Sequence, residues 1–374
     1  MTTKFFETLA PDHILNLPVY KPGKPIEALE RELGITGALK IASNENPLGP
    51  SPYVVEAMCA VATNCHRYPD GGAYNLRYAV AEYHGIGPNE VLFGAGSNEI
   101  IHMLVHAFCM PGKDRVVTHE HAFISYQLAA MGLGVDYVIT RVTDDLSCDV
   151  DALIDALDDA TKLVFLANPN NPTGSYVCRT DLERLLAAMP ERALLVVDEA
   201  YHEYAISSAE DYPRSQDYRS PERPQLITLR TFSKIHGLAA LRVGYAIGNP
   251  KVLGLLNRIR RPFNINMAAQ VAAVAALADE DHVQRGRVVA RQGIDTISQV
   301  VTQIGLRAYP SLGNFVLVKV GPNCQDVYHR LLLKGVIVRP MSGPWGLPEH
   351  LRISVPALED LDRVATTLRE VLAP

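Results

Sequence analysis

One lysine lies within a run of residue types suited to holding a phosphate and reacting with a carbonyl: Leu229-Arg-Thr-Phe-Ser-Lys-Ile-His-Gly-Leu-Ala-Ala-Leu-Arg-Val-Gly244. An apolar strand ends near Arg230. Thr231, Ser233 and Lys234 follow at its carboxyl end, and Arg242 comes eight residues after the lysine. In open α/β folds, ligands sit outside the carboxyl ends of the strands. Two hydroxyls, a lysine and an arginine there would make a phosphate pocket with an amine inside it. That amine attacks a carbonyl only when unprotonated, so burial and neighbouring cations must lower its pKa. Surface charges beside a strand would give the same local pattern, so this run does not decide the matter alone.

Three other segments point to the same place. Leu194-Leu-Val-Val-Asp-Glu-Ala-Tyr201 is an apolar strand ending in an acid. A buried aspartate is costly without a cation, and a protonated pyridine nitrogen facing Asp198 would supply one, the pairing that makes such a ring an electron sink. Tyr201 would then reach a phenolic oxygen on that ring. The plainer reading of Asp198 is a helix N-cap. Asn168-Pro-Asn-Asn-Pro-Thr-Gly174 follows another apolar strand and makes a rigid turn that aims an asparagine amide at one point. Gly94-Ala-Gly-Ser-Asn-Glu-Ile-Ile101 joins a strand to a helix whose first amides suit a phosphate; it lacks the third glycine of a dinucleotide fingerprint. His102 and His106 stand at helical spacing, and His119 and His121 flank Glu120. No acid joins the first pair in a metalloprotease pattern, so no metal is expected.

Positioning these groups requires strands that alternate with helices. Apolar runs at Val91–Phe93, Arg115–Thr118, Val135–Val138, Leu163–Leu166, Leu194–Val197, Leu226–Leu229 and Val243–Ile247 predict seven strands. Amphipathic stretches at Asn98–Phe108, Tyr126–Met131, Val150–Leu157 and Asp181–Ala188 predict helices between them. Such alternation gives a mostly parallel sheet covered on both faces. After Pro262 a long helical region, about Ala268 to Ile304, leads to strands at Arg307–Tyr309, Asn314–Val318, Val336–Val338 and Leu351–Val355, with helices near Gln325–Lys334 and Leu358–Leu372. That grouping predicts a second, smaller α+β domain, with the N-terminal segment and its helix Pro25–Leu33 packed against it.

The 374 residues suit two unequal domains around a cleft. A formal charge of -6 argues against nucleic-acid or anionic-membrane binding. The first residues read as no signal peptide, and no run approaches the roughly 20 apolar residues of a membrane span. Cys59, Cys65, Cys109, Cys148, Cys178 and Cys324 show no CxxC spacing, and are expected to be reduced, mostly buried thiols of a cytoplasmic protein.

Taken in order, these pieces resemble the fold type I pyridoxal-phosphate aminotransferases. More narrowly, the chain resembles the histidinol-phosphate aminotransferase family, and its length matches that family almost end to end. The narrower likeness rests on Val19-Tyr-Lys-Pro-Gly-Lys-Pro25, Ser43-Asn-Glu-Asn-Pro-Leu-Gly-Pro-Ser-Pro52 and Arg67-Tyr-Pro-Asp70. Arg261-Pro-Phe-Asn-Ile-Asn266, Asn314-Phe-Val316, Gly335-Val-Ile-Val-Arg-Pro340 and Glu349-His-Leu-Arg-Ile-Ser354 continue it.

The resemblance implies an α/β fold: a large domain with a mostly parallel seven-stranded sheet between helices, plus a smaller α+β domain. Residues 1–45 would form an N-terminal arm and part of the small domain, residues 46–263 the large domain, and residues 264–374 the rest of the small one. Pyridoxal 5'-phosphate would be held as a Schiff base on Lys234, which would then shuttle the proton between the substrate Cα and the cofactor carbon. Asp198 would hold the pyridinium, Asn171 and Tyr201 the phenolic oxygen, and Phe123 would stack on the ring. Gly96, Ser97, Asn98, Thr231, Ser233 and Arg242 would bind the phosphate, with Tyr68 reaching it across a homodimer interface that makes the active sites shared. Arg352 would take the substrate carboxylate as a bidentate pair, and Tyr20 and Arg339 would line the far end.

The implied reaction is transamination between histidinol phosphate and 2-oxoglutarate. The alternatives are an aromatic or specialised-metabolite aminotransferase, or a decarboxylase of a phosphorylated amino acid. Three residues depart from the family pattern. His236 changes a position expected to line the site, Ala240 replaces a glycine and would add a methyl near the cofactor side, and Trp345 brings an indole near the substrate arginines. These put substrate choice in doubt and leave the reaction type intact.

Overall fold

Seven apolar runs become the strands of one sheet: β2 (Val91–Gly94), β3 (Arg115–His119), β4 (Asp136–Thr140), β5 (Thr161–Ala167), β6 (Leu194–Asp198), β7 (Leu226–Thr231) and β8 (Gly244–Gly248). The computed structural model describes residues 5, 8–19, 23–220 and 223–373. The sheet order is β2-β8-β7-β6-β5-β3-β4. Strands β7, β6, β5, β3 and β4 are mutually parallel, while β8 runs antiparallel to both of its neighbours. Helices on both faces leave the central strands no exposed side, and every residue of β2, β6, β7 and β8 is buried. The edge strand β4 exposes Asp136 and Ile139. Because β8 returns antiparallel, Gly244 pairs with Thr231 on one side and with Gly94 on the other. One row of the sheet therefore carries the start of the lysine loop, the return from it and the entry to the glycine-rich turn.

The second layer is antiparallel. Strands β9 (Arg307–Ala308), β10 (Phe315–Lys319), β12 (Arg339–Pro340) and β13 (His350–Ser354) form a sheet in the order β12-β13-β10-β9. β1 (Leu39–Lys40) pairs in parallel with β11 (Val336–Ile337), which ties the N-terminal segment to this domain. Val316, Val318, Leu351 and Ile353 pack against Ile297 and Val301 of the helix Glu280–Gln303 and against Val364 and Leu368 of the helix Leu361–Leu372. Each such buried aliphatic contributes roughly 1.5–3 kcal/mol relative to exposure.

The long helical region expected from Ala268 to Ile304 is two helices, Met267–Leu277 and Glu280–Gln303. Asp279 divides them: its carboxylate accepts the His282 N–H at 2.9 Å and caps the second helix. The first is alanine-rich on its buried face. Ala269, Ala272, Ala273 and Ala276 lie in one cluster with Val54, Val80 and Phe93, so this helix packs on the large sheet's side of the molecule. Of the cysteines, Cys109 and Cys324 are buried, but Cys59 and Cys65 are exposed, since the short helices that carry them turn those positions outward. No helix among the described residues is long and apolar enough to cross a membrane.

Candidate active site

The carboxyl ends of β5, β6 and β7 form the floor of a cavity of about 150 Å³. Asp198 is the last residue of β6 and is buried. Its Oδ2 accepts a hydrogen bond from the Tyr126 hydroxyl at 2.9 Å, while Oδ1 is buried and meets no protein partner. Burial, against the opposing pull of hydrogen bonds from Tyr126 and the Ala200 N–H and with help from the neighbouring Glu199, leaves the carboxyl raised to about 6. Glu199 in turn is locked beneath the floor: its Oε2 pairs with Arg230 Nη2 at 2.6 Å, and its Oε1 accepts the Ser215 N–H at 2.7 Å.

Lys234 stands across the cavity from this acid. It is half-buried, its Nζ donates to the Ser43 carbonyl at 3.2 Å, and it lies 5.6 Å from the centroid of the Tyr201 ring. Desolvation first, then Arg352 and Arg242, lower its pKa to about 7, so much of the amine is free base near neutrality.

At one end of the cavity, Gly96 caps the helix Ser97–Phe108 with φ 76° and ψ 164°. A Cβ there would stand 2.6 Å from Arg242 Nη2, so only glycine lets the guanidinium lie across the helix start. Arg242 itself has φ 57°. Thr231 Oγ1 donates to Ser233 Oγ at 3.0 Å and accepts the Ser233 N–H at 3.1 Å, and Asn98 Oδ1 is buried without a partner. Amides, hydroxyls and a guanidinium converging on a helix N-terminus make a receptor for a dianion.

A second cavity, of about 140 Å³, opens beside the first and shares Phe123, Asn171, Tyr201 and Lys234 with it. Its far walls include the buried Arg339 and Arg352. Arg352 donates through Nη1 to Asn171 Oδ1 and through Nη2 to the Ala42 carbonyl at 2.7 Å. The Arg339 guanidinium lies 4.7 Å from the Trp345 ring centroid, and the Trp345 carbonyl is 2.7 Å from His121 Nδ1.

Eleven of the expected cofactor residues thus line the first cavity: Gly96, Ser97, Asn98, Phe123, Asn171, Asp198, Tyr201, Thr231, Ser233, Lys234 and Arg242. Tyr68 does not. It is 81% exposed and stacks on Phe263 with centroids 4.7 Å apart. Tyr20 lies outside the described residues.

Two expectations need correction. His236 belongs to neither cavity wall; it is buried against Phe232, 5.1 Å between centroids, because the turn after Lys234 points its ring into the core. Ala240 sits exposed on a short 3-10 turn, so its methyl group faces away from the site. Sequence reasoning missed Tyr126, which lies in the first turn of the helix Ser125–Leu133, just after Phe123. It also missed Asn44, which follows the quoted Ser43 and bonds to Tyr201.

An unpaired buried carboxylate oxygen, an amine of low basicity and a glycine-opened anion receptor share one cavity. A flat ring with a protonated nitrogen, a carbonyl and a phosphate arm meets all three demands.

Residues 36–368 match the family model for aminotransferase class I and II. Histidinol-phosphate aminotransferase 1 of Nitrosococcus oceani is 42% identical over 372 residues, covering 100% of this chain and 99% of that protein. Histidinol-phosphate aminotransferase 2 of Pseudomonas aeruginosa is 42% identical over 370 residues, 98% of this chain and 99% of that one. Among solved structures, histidinol-phosphate aminotransferase from Sinorhizobium meliloti in complex with pyridoxal-5'-phosphate superimposes with a TM-score of 0.88 at 31% identity, covering 98% of each chain. An aspartate aminotransferase double mutant from Thermus thermophilus shares the fold, with a TM-score of 0.82 at 23% identity over 97% of this chain and 99% of that one.

Proposed function

The chain belongs to the class I and II aminotransferases, and from that premise we propose that it moves the amino group of histidinol phosphate to 2-oxoglutarate, using Lys234, Asp198, Tyr201 and Asn171. The reaction class and cofactor follow from the family: this is a pyridoxal-phosphate-dependent transaminase of fold type I. Bound in the first cavity, the cofactor supplies an electron sink for the charge left on the substrate carbon when its proton departs. Asp198 Oδ1 holds the ring nitrogen in its protonated form. Gly96, Ser97, Asn98, Thr231, Ser233 and Arg242 hold the phosphate, Phe123 covers a ring face, and Asn171 and Tyr201 hold the phenolic oxygen. Lys234 Nζ, on the wall between the two cavities, would serve as the base that takes and returns the proton at the substrate Cα.

The observation that carries this reading is the shared wall of the two cavities. Lys234 borders both, so one amine faces the acid-and-anion pocket on one side and two buried arginines on the other. Arginine forks suit phosphate and carboxylate alike. Histidinol phosphate carries a phosphate ester where glutamate carries its α-carboxylate, so Arg352 would serve both half-reactions, with Arg339 and Tyr20 at the far end.

The same proposal includes a homodimer in which Tyr68 reaches the partner's phosphate. Its support is the placement of Tyr68, exposed and stacked on Phe263 away from its own cavity. For the domains, we place the changeover within residues 278–280 in place of 263/264. The helix Met267–Leu277 shares its core with Val54 and Phe93, whereas Glu280–Gln303 packs on β10.

The Trp345 indole against Arg339 favours a second reading, an aromatic amino donor. Single-turnover spectra of the cofactor-loaded protein, mixed separately with histidinol phosphate, phenylalanine, tyrosine and glutamate, separate the two. Fastest conversion with histidinol phosphate supports the proposal; faster conversion with an aromatic amino acid replaces it.

A further inference from the structure

Asn44 sits at the centre of a buried chain of polar groups that reaches Tyr201 from the side away from Asp198 and has no role in the reading above. Its residue has φ 55°, a left-handed conformation that asparagine and glycine tolerate best. That turn points the side chain at the Tyr201 hydroxyl, and Nδ2 donates to Oη at 2.8 Å. On the other side, Ser354 Oγ donates to Asn44 Oδ1 at 2.8 Å and accepts the Asn44 N–H at 2.9 Å. Asn314 Nδ2 donates to the Asn44 carbonyl at 3.1 Å. Asn44, Ser354, Tyr201 and Asn314 are all buried, with Asn44 and Tyr201 at the wall of the second cavity.

The chain has a direction. Ser354 already accepts a backbone N–H, so its own proton has Oδ1 to go to; turning the amide over would take that acceptor away. With Oδ1 facing Ser354, Nδ2 must face Tyr201. The phenol oxygen then accepts from Asn44 and keeps its proton to give elsewhere. We propose that Asn44 is a positioning residue that commits the Tyr201 hydroxyl to donate into the cofactor cavity, through the relay Ser354 to Asn44 to Tyr201. The inference rests on the reading above that Tyr201 faces the cofactor's phenolic oxygen.

Lys234, Arg352 and Asp198 also bear on Tyr201, the first 5.6 Å from its ring, and Glu45 beside Asn44 is exposed and paired with Lys40. Asn44 carries no charge, so removing its amide takes one hydrogen bond from the Tyr201 oxygen and leaves this field in place. A donor to the phenolic oxygen stabilises the proton-poor form of the bound cofactor. Weakening it makes the proton bind more tightly, and the midpoint of the cofactor's pH-dependent absorption change moves to higher pH.

The test uses the cofactor-loaded protein and reads that midpoint by absorbance. Asn44→Gly suits the left-handed backbone, keeps the main-chain bonds and deletes only the amide. Its midpoint is expected to rise by roughly half a pH unit, about threefold in proton affinity. Ser354→Ala, which frees the amide to turn, is expected to shift it the same way by less. In a Tyr201→Phe background, Asn44→Gly is expected to add nothing. A parental midpoint in Asn44→Gly, or an undiminished shift in the Tyr201→Phe background, overturns the relay alone. If Tyr201→Phe itself keeps the parental midpoint, both the relay and the placement of Tyr201 fail.

Discussion

Replacing Gly96 with alanine should weaken cofactor binding far more than it weakens the fold. Gly96 has φ 76° and ψ 164°, a region essentially reserved for glycine, where another residue costs about 1–3 kcal/mol. The new methyl would also stand 2.6 Å from Arg242 Nη2, a contact relieved only if the guanidinium leaves the helix start. Either response damages the anion receptor: a relaxed backbone re-aims the first amides, and a displaced Arg242 removes a charge. If most of the cost falls on the bound state, the Kd for pyridoxal phosphate rises about 5- to 150-fold. Absorbance titration of the cofactor-free protein measures Kd, and thermal unfolding of the same sample measures the fold. Gly112→Ala is the control, because Gly112 has φ 72° with nothing within 4 Å of the added atom. It should lose stability with no loss of affinity. A parental Kd in Gly96→Ala, or an equal loss in Gly112→Ala, would refute the reasoning.

Lys234→Ala should abolish turnover yet retain a phosphate-anchored cofactor, as seen in its absorbance after gel filtration; normal transamination by this variant would sink the assignment. Arg352→Ala should raise substrate KM by about 30-fold or more, the cost of an unpaired charge, while the affinity for the cofactor changes far less. Equal KM values would remove Arg352 from the substrate anion. The lysine also predicts a pH dependence for the cofactor-free protein. Its folded pKa of about 7 lies below the ordinary 10.5, so the unfolded chain binds more protons between those values and stability rises with pH across that window. Urea midpoints at pH 7 and pH 10 should show the parent gaining on Lys234→Met, and a constant difference between the two would contradict it.

Much of the site was legible because its groups sit at the ends of strands. Asp198 and Thr231 each end an apolar run, the turn that carries Asn171 follows another, and parallel strands must bring such ends to one edge. The anion turn was legible for a similar reason, since Gly94–Ser97 joins β2 to a helix. What escaped depended on tertiary contact. Nothing local says that Tyr126 reaches the acid at the end of β6, or that a left-handed Asn44 meets Tyr201 157 residues away. His236 was misplaced because a loop carries no periodicity from which to tell the cavity side from the core side. The helix break at Asp279 was obscured because helix-forming residues continue on both flanks, although aspartate before Glu280 and Asp281 is a start signal in its own right.

The row in which Thr231, Gly244 and Gly94 pair across three strands has a consequence for how this scaffold can change. It fastens the amine loop and the anion turn to one rigid part, whereas Arg339 and Arg352 come from β12 and β13 of a different sheet. The row that bears the amine and the sheet that bears the two arginines are therefore joined by side chains and by no shared strand. Mutations that reshape β12, β13 and the turn holding Trp345 leave that row intact and reach the cofactor cavity through contacts such as Arg352 to Asn171 and Ser354 to Asn44.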